Sequence, residues 1–322
     1  MVVEGERHID LEAVLHNPGM DDFKRMAIFA QVVERGSMSA AARVLAMSPS
    51  AVSQQLRQLE RAGGVTLLHR TTRQLTLTDA GSRFYAQCAA MCVAAAQARA
   101  ELEAEREQPG GELRIAAPVG FARHIAPALG QWLADHPALR LLLLVDDAPI
   151  DLVQGRVDLA IRFGDLRDSG WAARRLGRMP WWLCAAPQWV AQHGAPTHPA
   201  QLAGARWLGM SGRLDWECRH PDEGVHHWQL QPQVASNNHW SLQQMCEAGL
   251  GPALLAAMDI SDAVQQGRLQ RLLPQWTLGG LDIWAVTPQR DAQPAKVRQA
   301  IAALQAYLAQ LPGVQAPSGP AP

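Results

Sequence analysis

The stretch from Ser37 to Glu60 constrains this chain more than any other. Two short helical patterns flank a tight break at Ala46-Met47-Ser48. Pro49 stands where the second helix begins, a position that does not need its missing N–H, and Ser48 precedes it as N-cap. Ala41, Val44 and Leu45 recur at i, i+3, i+4 and give the first helix one apolar face. Val52, Leu56 and Leu59 do the same for the second at i, i+4, i+7. Facing outward from the second helix are Ser50, Ser53, Gln54, Arg57 and Gln58. These small or flexible donors and acceptors suit base edges and phosphates in a major groove. The reading is a helix-turn-helix, with a pair of surface helices carrying an ordinary polar face as the alternative. Upstream, Phe23, Met26, Ala27, Phe29, Ala30 and Val33 predict an amphipathic helix stopped by Gly36, which completes a three-helix core.

Downstream, Leu67 to Thr78 alternates apolar and polar residues around a tip bearing Arg70 and Arg73, the pattern of a β-wing. With it the chain resembles the N-terminal winged helix of LysR-type transcriptional regulators. The match rests on Gly36-Ser37 before a small-residue helix, Ser48-Pro49-Ser50-Ala51-Val52-Ser53, Leu59-Glu60, and Leu77-Thr78-x-Ala80-Gly81. It covers Met20 to Gly81. The resemblance implies double-stranded DNA as partner, and Ser37, Ser39, Ser48, Ser50, Ser53, Gln54, Arg57, Arg70 and Arg73 are the expected contacts. One departure is Gly63-Gly64 where the family usually has a large aliphatic residue before the glycine. It predicts a looser end to the recognition helix.

Charge supports the same division. The overall formal charge is −1, yet between Asp21 and Ala100 ten basic residues face five acidic ones. Only this part suits a polyanion. From Ser82 to Arg106 an Ala- and Gln-rich run without Gly or Pro predicts a long helix, with Phe84, Cys88, Met91, Ala95, Ala98 and Leu102 on one stripe. That stripe packs either on its own domain or on a second subunit. The family favours a linker helix that pairs subunits, hence a homodimer or homotetramer. Pro109-Gly110-Gly111 then reads as a hinge.

Beyond the hinge, strand and helix patterns alternate, as in a doubly wound α/β sheet. Leu113–Pro118, the nearly all-apolar Leu139–Val145, Val157–Arg162 and Leu183–Ala185 read as strands. Helices fall around Ile125, Leu129 and Leu133 and near Ile150 to Gln154, and Leu139–Val145 suits a sheet covered on both faces. Arg123-His124-Ile125-Ala126-Pro127, Asp158–Arg162 and Ala248-Gly249-Leu250-Gly251 resemble the family's effector-binding region. That region is similar to periplasmic solute-binding proteins, with two α/β lobes around a ligand cleft. The resemblance implies a winged helix-turn-helix domain at 20–81, a linker helix at 82–109 and an effector-binding domain at 110–312. Lobe one would take about 112–182 and 281–310, and lobe two about 183–280.

Ligands bind at the carboxyl ends of strands and at helix N-termini. This nominates Val119, Gly120 and Phe121, then Arg162 and Phe163, and then Asn237, Asn238, His239 and Trp240. A turn or capping role stays open for each. A cation at Arg162, amide donors and aromatic walls together predict a small aromatic or otherwise unsaturated carboxylate as effector, unless Arg162 is held in an internal ion pair and Trp240 in the core.

Nucleophile elbows, phosphate-binding Gly loops and zinc-protease motifs are absent, so no catalytic residues, cofactor or metal are expected. Cys218, His220, His226 and His227 lack a defined zinc spacing and read as loop residues, although Arg219 and His220 could lower the Cys218 pKa. Five scattered cysteines fit reduced thiols in the cytoplasm. Residues 1–19 carry no signal-peptide core, Met20 is a plausible start, and no apolar run is long enough to span a membrane. The expected function is a DNA-binding transcriptional regulator controlled by a small molecule. An α/β enzyme or a solute-binding protein without a DNA role is the alternative.

Overall fold

The computed structural model describes residues 20–70, 75–147, 151–166, 170–210, 214–288 and 293–316. The expectations for residues 1–19, and for Arg73 in the wing tip, lie outside these. The chain divides into two compact units, Met1–Glu103 and Ala104–Pro322.

The first unit holds α1 (Met20–Arg35), α2 (Met38–Val44), α3 (Pro49–Gly63), β1 (Leu68–Arg70), β2 (Leu75–Leu77) and most of α4 (Asp79–Glu107). Ile28, Phe29, Val32, Ala41, Ala42, Val52, Leu56 and Leu59 form its core. Two expected core residues are outside it, since Phe23 is 48% and Val44 56% exposed. The buried faces explain both. On α1 the face is centred on Ile28, Phe29 and Val32, and on α2 between Ala41 and Leu45. At about 100° per residue, Phe23 falls on the far side of α1 and Val44 about 80° from the α2 centre, at the edge of the buried stripe.

The family motifs are local hydrogen-bond solutions. Ser37 and Ser48 cap α2 and α3, their hydroxyls accepting the Ala40 and Ala51 N–H groups at 3.1 Å. Glu60 Oε1 accepts the N–H groups of Leu67 (2.9 Å) and Leu68 (3.2 Å), fastening the wing's first strand to α3. Thr78 Oγ1 accepts from Gly81 N–H and donates to the Thr66 carbonyl, both at 2.9 Å. Gly81 is obligatory, because a Cβ there would lie 2.1 Å from the Leu67 carbonyl oxygen. Strands β1 and β2 pair antiparallel, Leu68 opposite Leu77. The Gly63-Gly64 helix end is better defined than expected. Gly64 adopts φ 64°, and the Val65 N–H returns to the Glu60 carbonyl at 3.2 Å, a regular left-handed cap.

Helix α4 runs 29 residues. Its apolar stripe divides. Phe84 and Cys88 pack into their own unit, Phe84 lying 5.6 Å from the Phe29 ring, whereas Leu102 is 75% exposed. The stripe therefore serves its own core first and leaves only its later part free of that core.

The second unit is built on a nine-stranded mixed sheet, in the order β10-β7-β11-β6-β13-β5-β3-β4 with β12 beside β6. The strands are β3 (Gly111–Ala117), β4 (Leu139–Val145), β5 (Leu159–Phe163), β6 (Ala172–Ala185), β7 (Leu208–Met210), β10 (Val234–Ser236), β11 (Ala253–Ala256), β12 (Gln270–Arg271) and β13 (Gly280–Thr287). The long hairpin β8 (Leu214–His220) and β9 (Gly224–Leu230) forms its own sheet. Helices are α5 (Val119–Asp135), α6 (Pro187–His193), α7 (His239–Glu247), α8 (Ala257–Gln265) and α9 (Ala295–Leu308).

Strand β6 runs through the whole unit. Residues Ala172–Pro180 pair with β13, and Trp181–Cys184 pair with β11. We place the boundary between two lobes at this change of partner. One apolar core nevertheless runs through both, from Leu113 and Ile161 to Trp207 and Trp228. The expected short strand at Leu183–Ala185 is thus the end of a 14-residue one. Strand β4, expected to be covered on both faces, is an edge strand with Leu142 and Val145 partly exposed. Instead of a helix near Ile150–Gln154, the described residues 152–156 form turns, with Asp151 Oδ1 accepting from Val153 and Gln154 N–H.

Candidate functional site

On α3, Ser50, Gln54 and Arg57 are exposed and Ser53 half-buried, on the side opposite Val52, Leu56 and Leu59. One helix face is thus committed to the core and the other carries donors and acceptors outward. Ser39 on α2 is also exposed. The hydroxyls of Ser37 and Ser48 are engaged in capping, so these residues shape the turn before they can reach a partner. The Ser48 and Ser50 hydroxyls lie 2.9 Å apart. Arg70 closes β1.

In the second unit a cavity of about 240 Å³ opens between the lobes. Pro118, Gly120, Phe121, Asp147, Phe163, Met179 and Leu281 line it from lobe one. Trp181, Met210, Asn237, His239, Ala256, Met258 and Asp259 line it from lobe two. The walls come from strand ends and first helical turns, as topology requires. Of the nine expected residues, Gly120, Phe121, Phe163, Asn237 and His239 reach this lining.

Val119, Arg162, Asn238 and Trp240 do not line this cavity. The Val119 N–H donates to Asp147 Oδ1 at 2.9 Å. Asn238 caps α7, its Oδ1 accepting the Ser241 N–H at 3.1 Å, and its Nδ2 lies 3.4 Å from Asp147 Oδ2. Asp147 therefore bridges the lobes. Arg162 lies on β5 opposite Trp284, where burial pulls its pKa below the ordinary arginine value. Neighbouring Phe163 lines the cavity, so strand alternation puts Arg162 on the other face of β5. Trp240 is half-exposed rather than packed in the core, with the Arg123 guanidinium 5.4 Å from its ring centre.

Asp147 and Asp259 supply the charge that Arg162 was expected to supply, with the opposite sign. Sequence reasoning passed over both, though each carried the same signal as the residues it chose. Asp147 follows the end of β4, and Asp259 lies in the first turn of α8 directly after β11. Behind the cavity, buried His124 places Nε2 2.8 Å from Asp259 Oδ1 and Nδ1 3.0 Å from the Tyr307 hydroxyl. Because the carboxylate can only accept, Nε2–H donates to it. Burial raises the Tyr307 pKa. Arg123 adds a bond to the Asp259 carbonyl at 3.0 Å. Helix α5 of lobe one is thereby tied to α8 of lobe two.

The cysteine and histidine cluster has other work. Cys218 is buried opposite His226, its thiol donating to the His226 carbonyl at 3.6 Å. Burial raises its pKa to about 11, so the lowering that Arg219 and His220 could have brought is outweighed. Arg219 follows it along the strand and so points to the opposite face, while His220 Nε2 lies 3.2 Å from Gln275 Oε1. His226 and His227 lie on β9, not in a loop. His220 Nδ1 accepts from Asp222 and Glu223 N–H groups, and His198 Nδ1 from Ala200 N–H, so these lone pairs are already used. Among the described residues no group of three or more His, Cys, Asp or Glu could hold a metal, and no helix is long and apolar enough to cross a membrane.

A winged helix-turn-helix, followed through a long helix by a two-lobed α/β unit with a cavity at its strand ends, defines a DNA-binding transcriptional regulator with a substrate-binding domain. Comparison with known proteins specifies the family. Residues 23–82 match the bacterial regulatory helix-turn-helix protein, lysR family, and residues 106–309 match the LysR substrate binding domain. The chain is 35% identical over 297 residues to the HTH-type transcriptional activator AaeR of Escherichia coli, covering 91% of this chain and 96% of that protein. It is 34% identical over 258 residues to the regulator CrgA of Neisseria meningitidis, covering 79% and 86%. The full-length structure of the Vibrio cholerae virulence activator AphB aligns with TM-score 0.70 and 26% identity, covering 90% of this chain and 99% of that one. The chain belongs to the LysR family of transcriptional regulators.

Proposed function

We propose that this chain is a sequence-specific regulator whose hold on operator DNA is set by a small molecule bound between its lobes. The observation that carries the reading is the cavity of about 240 Å³ lined from both lobes in a chain that also presents the α3 polar face. A molecule touching both walls favours one lobe arrangement, and that bias is what a regulator can transmit. Ser39, Ser50, Ser53, Gln54 and Arg57 contact the groove, Ser37 and Ser48 the backbone beside it, and Arg70 and Arg73 the phosphates. The DNA-binding domain is 20–81, the linker helix 82–109 and the effector domain 110–312. A homodimer or homotetramer fits the exposed later part of α4. The cytoplasm fits the DNA target and the free cysteines.

The aromatic part of the expected effector finds support in Phe121, Phe163 and Trp181. The carboxylate part does not. Asp147 and Asp259 face the cavity and Arg162 does not line it, so hydrogen-bond donors suit this lining better than a second anion. The test is an anisotropy titration of DNA from the protein's own promoter region, across a salt series and with candidate ligands that raise the melting temperature. Specific binding requires a preference over random DNA of equal length, with affinity falling steeply with salt. Equal affinity for both DNAs, or stabilising ligands that leave DNA affinity unchanged, would sink this function.

A further inference from the structure

Behind the interlobe cavity lies a second one of about 130 Å³ within lobe two. Its walls include Trp207, Trp216, Leu230, Leu242 and Leu254, and it shares Trp181, Met210 and His239 with the first. No charged side chain lines it. The polar edge of Trp207 is already spent, its Nε1 donating to the Leu202 carbonyl at 3.2 Å. Trp216 meets Trp181 edge to face at 5.5 Å. The chamber therefore offers carbon surface. An apolar cavity of about 150 Å³ stays dry and admits benzene, so this one has room for a substituent of about four or five carbons.

The partition between the cavities is soft. His239 stands at the first position of α7, with no preceding helical turn to lock its rotamer, and its ring lies 5.6 Å from that of Trp181. Its Nδ1 is buried and has no hydrogen-bond partner. Burial lowers its pKa, so the ring is neutral near pH 7 and separates the chambers as a flat, uncharged group. Met210, the other shared side chain that can yield, is unbranched and adaptable.

We infer that the effector is a two-part molecule, with a flat ring bearing hydrogen-bond donors between Phe121, Phe163 and the Asp147 and Asp259 carboxylates, and an apolar arm passing His239 into the tryptophan-lined chamber. This rests on the interlobe cavity being the effector site. It adds a second subsite and the class of substituent that fills it.

The probes are aniline and its 4-n-alkyl derivatives from methyl to hexyl, with the matching benzoates, followed by calorimetry and tryptophan fluorescence on the full chain. A buried methylene contributes about fourfold in affinity. The alkylanilines are expected to gain about fourfold per carbon up to four or five carbons and then level off, and each benzoate to bind more weakly than its aniline partner. Leu242→Trp fills the chamber. It should abolish the chain-length gain while leaving aniline itself unchanged. Leu230→Trp repeats the test from the opposite wall should Leu242→Trp melt early. Aniline binding with no chain-length gain overturns the second chamber and leaves the interlobe effector reading standing. A gain that survives both filling variants places the arm elsewhere and overturns it too. Failure of every aniline to bind overturns the two-part effector, while the effector reading is then judged by ligand-dependent DNA affinity as above.

Discussion

Replacing Glu60 by Ala removes the oxygen that accepts the Leu67 and Leu68 N–H groups at 2.9 and 3.2 Å. Both leucines are buried, so water reaches the freed donors poorly. A hydrogen bond to a charged acceptor contributes about 1.5–3 kcal/mol, and a stranded buried donor costs about 1–3 kcal/mol. The two bonds share one acceptor atom, so their contributions overlap, and a net loss of about 3 kcal/mol follows. In a unit of this size, about 1 kcal/mol moves Tm by roughly 4–8 °C, so its melting should fall by about 12–24 °C. Glu60→Gln keeps an acceptor oxygen without the charge and should lose only about 1 kcal/mol. Circular dichroism gives the melting, and native-state hydrogen exchange reports the Leu67 and Leu68 amides. In the Ala variant those two should lose protection before Val52 and Leu56 do. DNA affinity should fall too, because Arg70 rides on the same strand. Unchanged melting in Glu60→Ala, with both amides still protected, would refute this account of how the wing is held.

Other expectations follow from the same geometry. Arg57→Ala should weaken operator binding by about 1–3 kcal/mol at unchanged melting, and a gel shift with wild-type affinity removes this face from the DNA interface. Met91→Glu should dissociate the dimer by placing an unpaired carboxylate in the subunit contact, and sedimentation of an intact dimer rejects that placement. Asp147→Asn should loosen the bridge between the Val119 N–H and Asn238 and let the cavity accept benzoates at least tenfold more tightly; calorimetry showing no gain dismisses Asp147 as the group that excludes anions. High pH should unfold the chain through its thiols. Burial raises Cys218 to about 11 and Cys246 to about 12 from an ordinary value near 9. Between those values the folded state binds more protons than the unfolded one, so their stabilising contribution is whole below pH 9 and is lost as pH rises through 11 to 12. Flat stability across that window in denaturant titrations contradicts it.

The sequence was most legible where function depends on neighbours in the chain. Ser48 before Pro49 and Val52 with Leu56 and Leu59 are local statements, and the fold honours them. It was least legible where the outcome depends on what arrives from far away. Leu139–Val145 reads as a strand covered on both faces because all its residues but Arg140 are apolar; nothing local says that only β3 pairs with it. Phe23 and Val44 fit an apolar spacing, but spacing fixes a stripe's period and not its centre. In the cavity the topology rule led to strand ends that line it, and five of the nine residues it nominated are in that lining. Arg162 and Phe163 were nominated together as the end of one strand, but pleating puts neighbours on opposite faces, and the lining holds Phe163 with Asp147 and Asp259. The β8–β9 hairpin, which gives the second chamber Trp216 and Leu230, was not anticipated, since its histidines and tryptophans had no evident partner in sequence.

The change of partner along β6 also bears on how the chain is made. Strand β13 lies between β5 and β6 in the sheet, and Ala172 pairs with Thr287. Lobe one therefore lacks an interior strand until the ribosome has passed residue 287, although its first strand emerges near residue 111. Lobe two is an uninterrupted stretch whose ends meet, the Trp181 N–H bonding to the Gly279 carbonyl at 3.2 Å. It can close on itself first, and in closing brings the two strands of lobe one side by side, so the long loop is already drawn together when they pair. The half of the unit synthesised first is thus completed last. During that interval the apolar edge of β5 that β13 will cover stands open, and a nascent chain is most exposed to wrong pairing there.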